Sequence, residues 1–241
     1  MKREALLHEI SKIIAQIRAP HPRRIAVDGV DASGKTVFAD ALADSLAFTQ
    51  CQVIRASVDG FHHPKAIRRQ KGSLSPEGFY RDSYNYPALI ENLLAPLSPG
   101  GDRRYRIAVF DLYGDRPIQM PWETAKKDAI LIVDGIFLLR ETLLPYWDFK
   151  IYLHTDFVHS VPRGVARDQQ LLGSKERAVL RYQQRYVPGQ KIYLAEARPL
   201  DKADILIDNN ILDEPEIIYH PVKAKKTGTR TAKDQPKWRN P

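Results

Sequence analysis

The sequence predicts an α/β fold: a three-layer sandwich with a mostly parallel, five-stranded sheet flanked by helices and a helical lid. Three observations predict it. Short apolar runs of strand length recur along the chain, often ending in an acid; helical patterns lie between several of them; and a glycine-rich turn follows the first run directly. Strands alternating with helices imply parallel pairing through crossover connections, and ligands then bind beyond the carboxyl ends of the strands. Residues carrying chemistry are therefore expected where strands stop.

In chain order, Leu6, Leu7, Ile10, Ile13, Ile14 and Ile17 recur at three and four, which predicts an amphipathic helix over 5–18 ended by Pro20 and Pro22. Strands are predicted at 24–28, 53–59, 107–111, 130–134 and 150–154, and a sixth run at 205–208 closes the body. Helical patterns fall at 37–48, 87–94 and 158–172. Residues 60–86 and 96–106 are rich in Gly, Pro, Arg and Tyr and lack either period over most of their length, so they read as binding loops. The expected organisation is one domain over 1–220, with a lid near 160–190 and a basic, disordered tail over 221–241.

Composition narrows the class of protein. With 43% hydrophobic residues and 13 Gly and 17 Pro in 241, the chain is neither disordered, collagenous nor a solenoid. The single Cys51 makes no intrachain disulfide and points to a reducing, cytoplasmic compartment. The N-terminal segment carries charges at Lys2, Arg3, Glu4, Glu9 and Lys12, unlike a secretory signal, and the longest apolar runs are far too short to cross a bilayer, so no membrane partner is expected. The net charge is +8, but residues from Pro221 onward hold seven Lys or Arg and one Asp, +6, leaving +2 for the body. The basic character therefore belongs to the tail, and a nucleic-acid partner is disfavoured. The histidines lack ligand spacing with other His or Cys, which argues against a zinc site. A homo-oligomer is compatible with the sequence.

The strongest motif is Gly29-Val30-Asp31-Ala32-Ser33-Gly34-Lys35-Thr36, a full G-x-x-x-x-G-K-S/T between a predicted strand and a predicted helix. Such a loop turns its backbone N–H groups onto a phosphate at a helix N-terminus, so the domain is expected to be a P-loop NTPase sandwich. Gly29, Asp31, Ala32, Ser33, Gly34, Lys35 and Thr36 form the expected nucleotide-binding loop; Lys35 reaches the β- and γ-phosphates and the Thr36 hydroxyl ligates Mg²⁺. Guanine recognition is not expected, because the nearest string, Asp201-Lys202-Ala203-Asp204, lacks the amide that N-K-x-D requires.

Phosphoryl transfer to an alcohol further needs a base, a metal-side acid and mobile cations. Asp59, ending the second strand, is the candidate base. Asp134, ending the most apolar strand, is the candidate metal-side carboxylate. Arg163 and Arg167, four apart and so on one helix face, are the candidate lid cations, with Lys175, Arg177 and Arg181 following. The competing reading is a regulatory or nucleic-acid-associated ATPase that contacts polyanions through the basic tail.

Taken in order, these residues resemble the uridine kinase and phosphoribulokinase-like family of P-loop small-molecule kinases over most of 23–212. Beyond the loop, Val58-Asp59-Gly60-Phe61-His62 resembles the family's D-S-F-Y segment, Asp82-Ser83-Tyr84-Asn85 its D-A-F-D, and Val109-Phe110-Asp111 its V-Y-D. Val133-Asp134-Gly135-Ile136 resembles F-E-G-I, and Val161-Pro162-Arg163-Gly164-Val165-Ala166-Arg167-Asp168 resembles the lid's L-S-R-R-V-L-R-D. Tyr182 to Pro188 and Ala203-Asp204-Ile205-Leu206-Ile207 are similar to Q-Y-x-x-x-V-x-P and A-D-V-I-I. The resemblance implies ATP and Mg²⁺ as cofactors and a small-molecule acceptor, with a nucleoside 5′-hydroxyl as the leading candidate. It implies acceptor contacts at Asp59, Phe61, His62, Asp82, Tyr84 and Phe110, and Asp115 or Arg116 is the further candidate for contacting another head group. Two departures stand out: Gly164 replaces a lid arginine, and after Phe110 and Asp111 the pyrimidine-binding histidine is missing. Another alcohol, such as a sugar phosphate or a pantothenate- or nicotinamide-riboside-like compound, is the alternative acceptor.

Overall fold

The structure is a computed structural model and describes residues 3–219. The tail expected over 221–241 lies outside the described residues. The chain begins with α1 (Arg3–Gln16), then β1 (Arg23–Gly29), α2 (Lys35–Ser45), β2 (Val53–Ser57), and three short helices, α3 (Lys65–Arg68), α4 (Pro76–Asp82) and α5 (Tyr86–Leu89). Four two-residue strands follow, β3 (Arg104–Tyr105), β4 (Phe110–Asp111), β5 (Arg116–Pro117) and β6 (Glu123–Thr124). Then come β7 (Ile130–Gly135), β8 (Phe149–His154), α6 (Phe157–Asp168), α7 (Lys175–Arg181), α8 (Val187–Ala197), α9 (Pro199–Lys202), β9 (Ile205–Asp208) and β10 (Glu216–Tyr219).

The central sheet runs β10-β9-β8-β1-β7-β2, all parallel except β10, which returns antiparallel to β9. It therefore has six strands, where five were expected. One predicted strand is replaced: 107–111 does not enter this sheet. Only Phe110–Asp111 pairs, with Arg116–Pro117, in a separate ribbon. The apolar run is satisfied otherwise, since Val109 N–H donates to the Gly60 carbonyl at 2.9 Å and the Asp111 carboxylate closes the turn by accepting the Tyr113 and Gly114 N–H groups, both at 3.0 Å.

Both faces of the sheet are covered, so its middle strands are apolar throughout rather than alternating. Successive β1 residues still point to opposite sides. Ile25 and Val27 pack with Ile132, Ile151 and Leu153 under α1 and α2, while Ala26 joins Leu131 and Val133 in the larger core beneath Leu89, Leu93, Phe137 and Tyr193. Burying about twenty large side chains per layer at roughly 1.5–3 kcal/mol each is what offsets chain entropy.

The segment 60–86 contains two short helices that periodicity did not reveal, since four and seven residues span too few turns to show a repeat. Their caps were legible: Ser75 precedes Pro76 and its hydroxyl accepts the Gly78 N–H at 3.0 Å. In the segment expected as lid, α6 and α7 are followed by a π-helical turn at Tyr182–Tyr186 that leads into α8. Among the described residues, no helix is long and apolar enough to cross a membrane.

Candidate active site

The phosphate loop joins β1 to α2 at the carboxyl edge of the sheet. Two glycines are required there. A Cβ on Gly29 would sit 2.5 Å from the Leu153 carbonyl oxygen and 2.8 Å from Ser33 Oγ, and Gly34 has φ 86°, the left-handed region. The loop is held from outside: Gln190 Oε1 accepts the Asp31 N–H at 2.6 Å, and Asn209 Nδ2 donates to the Ser33 carbonyl at 2.6 Å.

Asp28, at the end of β1, is wholly buried beneath the loop. It accepts from Gly29 N–H (2.6 Å), Leu139 N–H (3.1 Å) and the Tyr193 hydroxyl. Burial raises its pKa to about 6, against the opposing effects of these donors and of Lys35. The Lys35 ammonium, itself buried, donates to the Val30 carbonyl at 2.7 Å. Burial lowers its pKa, while the charges of Asp31, Asp28, Asp134 and Asp59 act in the opposite sense. Four carboxylates thus converge electrostatically on one cation.

Thr36, the second residue of α2, donates from Oγ1 to Asp134 Oδ2 at 2.7 Å, and Arg55 of β2 holds Asp134 Oδ1 at 2.9 Å. Arg55 also reaches Asp40 of α2 at 2.8 Å. Thr36, Arg55 and Asp134 line a cleft of about 320 Å³ together with Gly60, Ile107, Ala108 and Met120.

A nucleoside triphosphate with Mg²⁺ fits these residues. Ser33 Oγ is buried with no hydrogen-bond partner, a donor waiting in the cradle, and a cradle so close to backbone at Gly29 tolerates no Cβ. The Thr36 hydroxyl and the Asp134 carboxylate are hard oxygen donors of the type Mg²⁺ takes.

Asp59 opens a 3₁₀ turn (Val58–Phe61) whose cap, Ser57 Oγ, accepts the Asp59 N–H at 3.3 Å. Its side chain is 62% exposed, stands 3.9 Å from His62 Nδ1, and accepts the Tyr84 hydroxyl at 3.1 Å. The His62 and Tyr84 rings pack 4.4 Å apart. Asp59 and His62, three residues apart, thus form one cluster with the more distant Tyr84.

Other expected acceptor contacts are placed differently. Phe61 is fully buried in the larger core and offers no surface to a ligand, and Phe110 is only 5% exposed. Asp82 pairs with Lys71 at 2.9 Å. The Asp115 carboxylate is engaged by Arg68 and by the Lys65 N–H, at 3.0 and 2.8 Å. Of the lid cations, Arg163 donates to the Asn209 and Asn210 carbonyls beyond β9. Arg167 pairs with Asp168 at 2.7 Å and lies near enough to the loop for its charge to act on Asp31. Gly164 is explained sterically: a Cβ there would lie 2.1 Å from Tyr182 Oη, so Tyr182 fills the space. Residue types alone did not single out Arg55, Gln190, Tyr193 or Asn209. Gln190 and Tyr193 are three apart on α8 and so share a face, but nothing local says that the face meets the phosphate loop.

The fold and this loop define a P-loop nucleotide-binding type of α/β domain. No protein-family model matches the chain. Pantothenate kinase from Streptococcus thermophilus is 28% identical over 169 residues, 66% of this chain and 53% of that protein, so the chain spans about half the length of the pantothenate kinase it matches. Uridine-cytidine kinase B from Dictyostelium discoideum is 25% identical over 204 residues, covering 83% of this chain and 81% of that one. Among solved structures, a possible uridine kinase from Bacillus stearothermophilus superposes with a TM-score of 0.66 at 20% identity, over 83% of this chain and 96% of that one. These relatives and structural neighbours support the uridine kinase and phosphoribulokinase-like family of P-loop kinases.

Proposed function

We propose that this chain is a small-molecule kinase that transfers the γ-phosphoryl group of ATP, bound with Mg²⁺, to a hydroxyl of an acceptor. The observation that carries this reading is the position of Asp59. It is an exposed carboxylate on the 3₁₀ turn that follows β2, separated from the phosphate-loop strand β1 by β7, oriented by Tyr84, and close enough for its charge to act on Lys35.

In this reading, the 29–36 loop and Lys35 hold the donor phosphates, and Thr36 with Asp134 would hold the metal, which neutralises phosphate charge when bound. Asp59 orients the acceptor hydroxyl and takes its proton as the new bond forms. The Tyr84 hydroxyl keeps that carboxylate turned toward the acceptor. Arg167, and Arg163 once released from the Asn209 and Asn210 carbonyls, stabilise the in-line transfer and exclude water as the lid closes.

Two acceptor readings have support. The uridine-cytidine kinase likeness extends over four fifths of both chains, which favours a nucleoside 5′-hydroxyl. The missing pyrimidine-binding histidine and the engagement of Asp115 by Arg68 favour a different alcohol. Screening nucleosides, sugar phosphates and hydroxy acids with ATP and Mg²⁺ tests the activity. Asp59→Asn is expected to lower kcat by about 10²–10⁴ with the KM for ATP unchanged. Normal turnover in Asp59→Asn, or ATP consumption with no phosphorylated product, would refute the reading.

A further inference from the structure

The lid and the acceptor-side loop meet along a seam rich in arginine. Arg185, on the turn leading into α8, is only 4% exposed. Its guanidinium is spent on backbone carbonyls of the facing loop: Ser75 at 3.0 Å, Arg68 at 3.1 Å and Gly72 at 3.4 Å. Arg181, one turn earlier, donates to the Ser73 carbonyl at 3.2 Å. Arg69 is exposed, and its side chain has no hydrogen bond or ion pair among the described residues. Asp115 offsets Arg68, but among the described residues no carboxylate forms an ion pair with Arg69, Arg181 or Arg185. Crowding is felt electrostatically: burial first, then Arg181 and Arg68, holds Arg69 below the ordinary arginine range.

Like charges gathered without a counter-charge oppose folding, and such a cluster is favourable when an anion joins it. Its location says which anion. On one side, Arg68 Nε donates to the carbonyl of His63, next to His62, which stands 3.9 Å from Asp59. On the other, the Tyr186 carbonyl beside Arg185 accepts from Gln190 Nε2 at 2.9 Å, and Gln190 Oε1 accepts the Asp31 N–H of the phosphate loop at 2.6 Å. The seam therefore borders the space between the donor site and Asp59.

We propose that the acceptor carries an anionic group, a phosphate monoester or a carboxylate, remote from its reacting hydroxyl and held by Arg69 and Arg181. The proposal rests on the kinase reading and narrows its substrate class. A neutral nucleoside leaves this surplus charge unanswered, whereas an anionic alcohol answers it and is selected by doing so.

The test keeps the two readings separable. The full chain is saturated with Mg²⁺ and a non-hydrolysable ATP analogue, so that the phosphate loop is occupied. Ribose, ribonate and ribose 5-phosphate are then titrated by calorimetry. At least one anionic probe is expected to bind about tenfold or more tightly than ribose, the two distinguishing carboxylate from phosphate. Arg69→Gln with Arg181→Gln is expected to abolish that advantage without changing analogue affinity, while Arg18→Gln, remote on the surface, retains it. Equal binding of the three probes, or an advantage that survives the double substitution, overturns the proposal. So does phosphorylation of a neutral nucleoside with a kcat/KM that the double substitution leaves unchanged; that result would leave the kinase reading standing. Failure of every acceptor to be phosphorylated would sink the kinase reading, and the binding comparison would still decide the anion site.

Discussion

Arg55 of β2 reaches across to Asp134 at the end of the neighbouring β7, its guanidinium 2.9 Å from Oδ1, while Thr36 engages the other carboxylate oxygen. Asp134 is only 2% exposed, so this cation and the Thr36 hydroxyl fix its rotamer. Arg55→Gln is expected to raise the Mg²⁺ concentration needed for half-maximal turnover by about 10–100-fold, as loss of an outer partner of a ligating carboxylate does. The same change leaves a buried acceptor short of a partner and costs about 1–3 kcal/mol in urea unfolding. An unaltered Mg²⁺ dependence would separate Asp134 from the metal.

Tyr84 is a donor to Asp59 and remains neutral, since burial raises its pKa well above the ordinary phenol value. Tyr84→Phe removes one hydrogen bond of about 1 kcal/mol, so a roughly fivefold loss of kcat is expected. Steady-state kinetics with the best acceptor found would check it, the KM for ATP serving as the internal control.

Gly164 has Tyr182 where a side chain would go. Gly164→Arg, which restores the arginine of the resembled lid motif, is therefore expected to damage the lid instead of strengthening it. Overpacking should cost about 1–3 kcal/mol and speed proteolysis around 169–175. Higher activity with unchanged proteolysis would contradict the steric account.

Asp28 gives a pH signature. Its folded pKa is about 6 against an ordinary 3.8, so the folded state holds a proton that the unfolded state has released. Its favourable contribution is fully present below about pH 4 and is lost as pH rises through 6, a swing of about 3 kcal/mol at 1.36 kcal/mol per unit. Urea unfolding of the wild type and Asp28→Asn between pH 4 and 7 should show the difference between them drifting against the wild type by that order. A difference independent of pH would exclude Asp28 as the titrating group.

The parts of this protein legible in its sequence are those written locally. The phosphate loop shows because its glycines, lysine and threonine are contiguous, and the ends of β1, β2 and β7 show because an acid follows a short apolar run. The edge strand Glu216–Tyr219 was missed because four residues are too few to show a period and its pairing with β9 defines it. The 107–111 run misled because burial against Gly60 demands the same residues as a strand would. Arg55 and the arginine seam depend on which surfaces meet, information that resides in packing between elements far apart in the chain.

Tyr193 and Gln190 bind Asp28 and Asp31 from α8, the helix directly downstream of α7 and the Tyr182–Tyr186 turn. In the proposed kinase, the root of the cover is thus bolted to the floor it covers. A closing α6 and α7 would pivot on a post that is part of the donor seat, so the seat would keep its shape whichever way the cover stands.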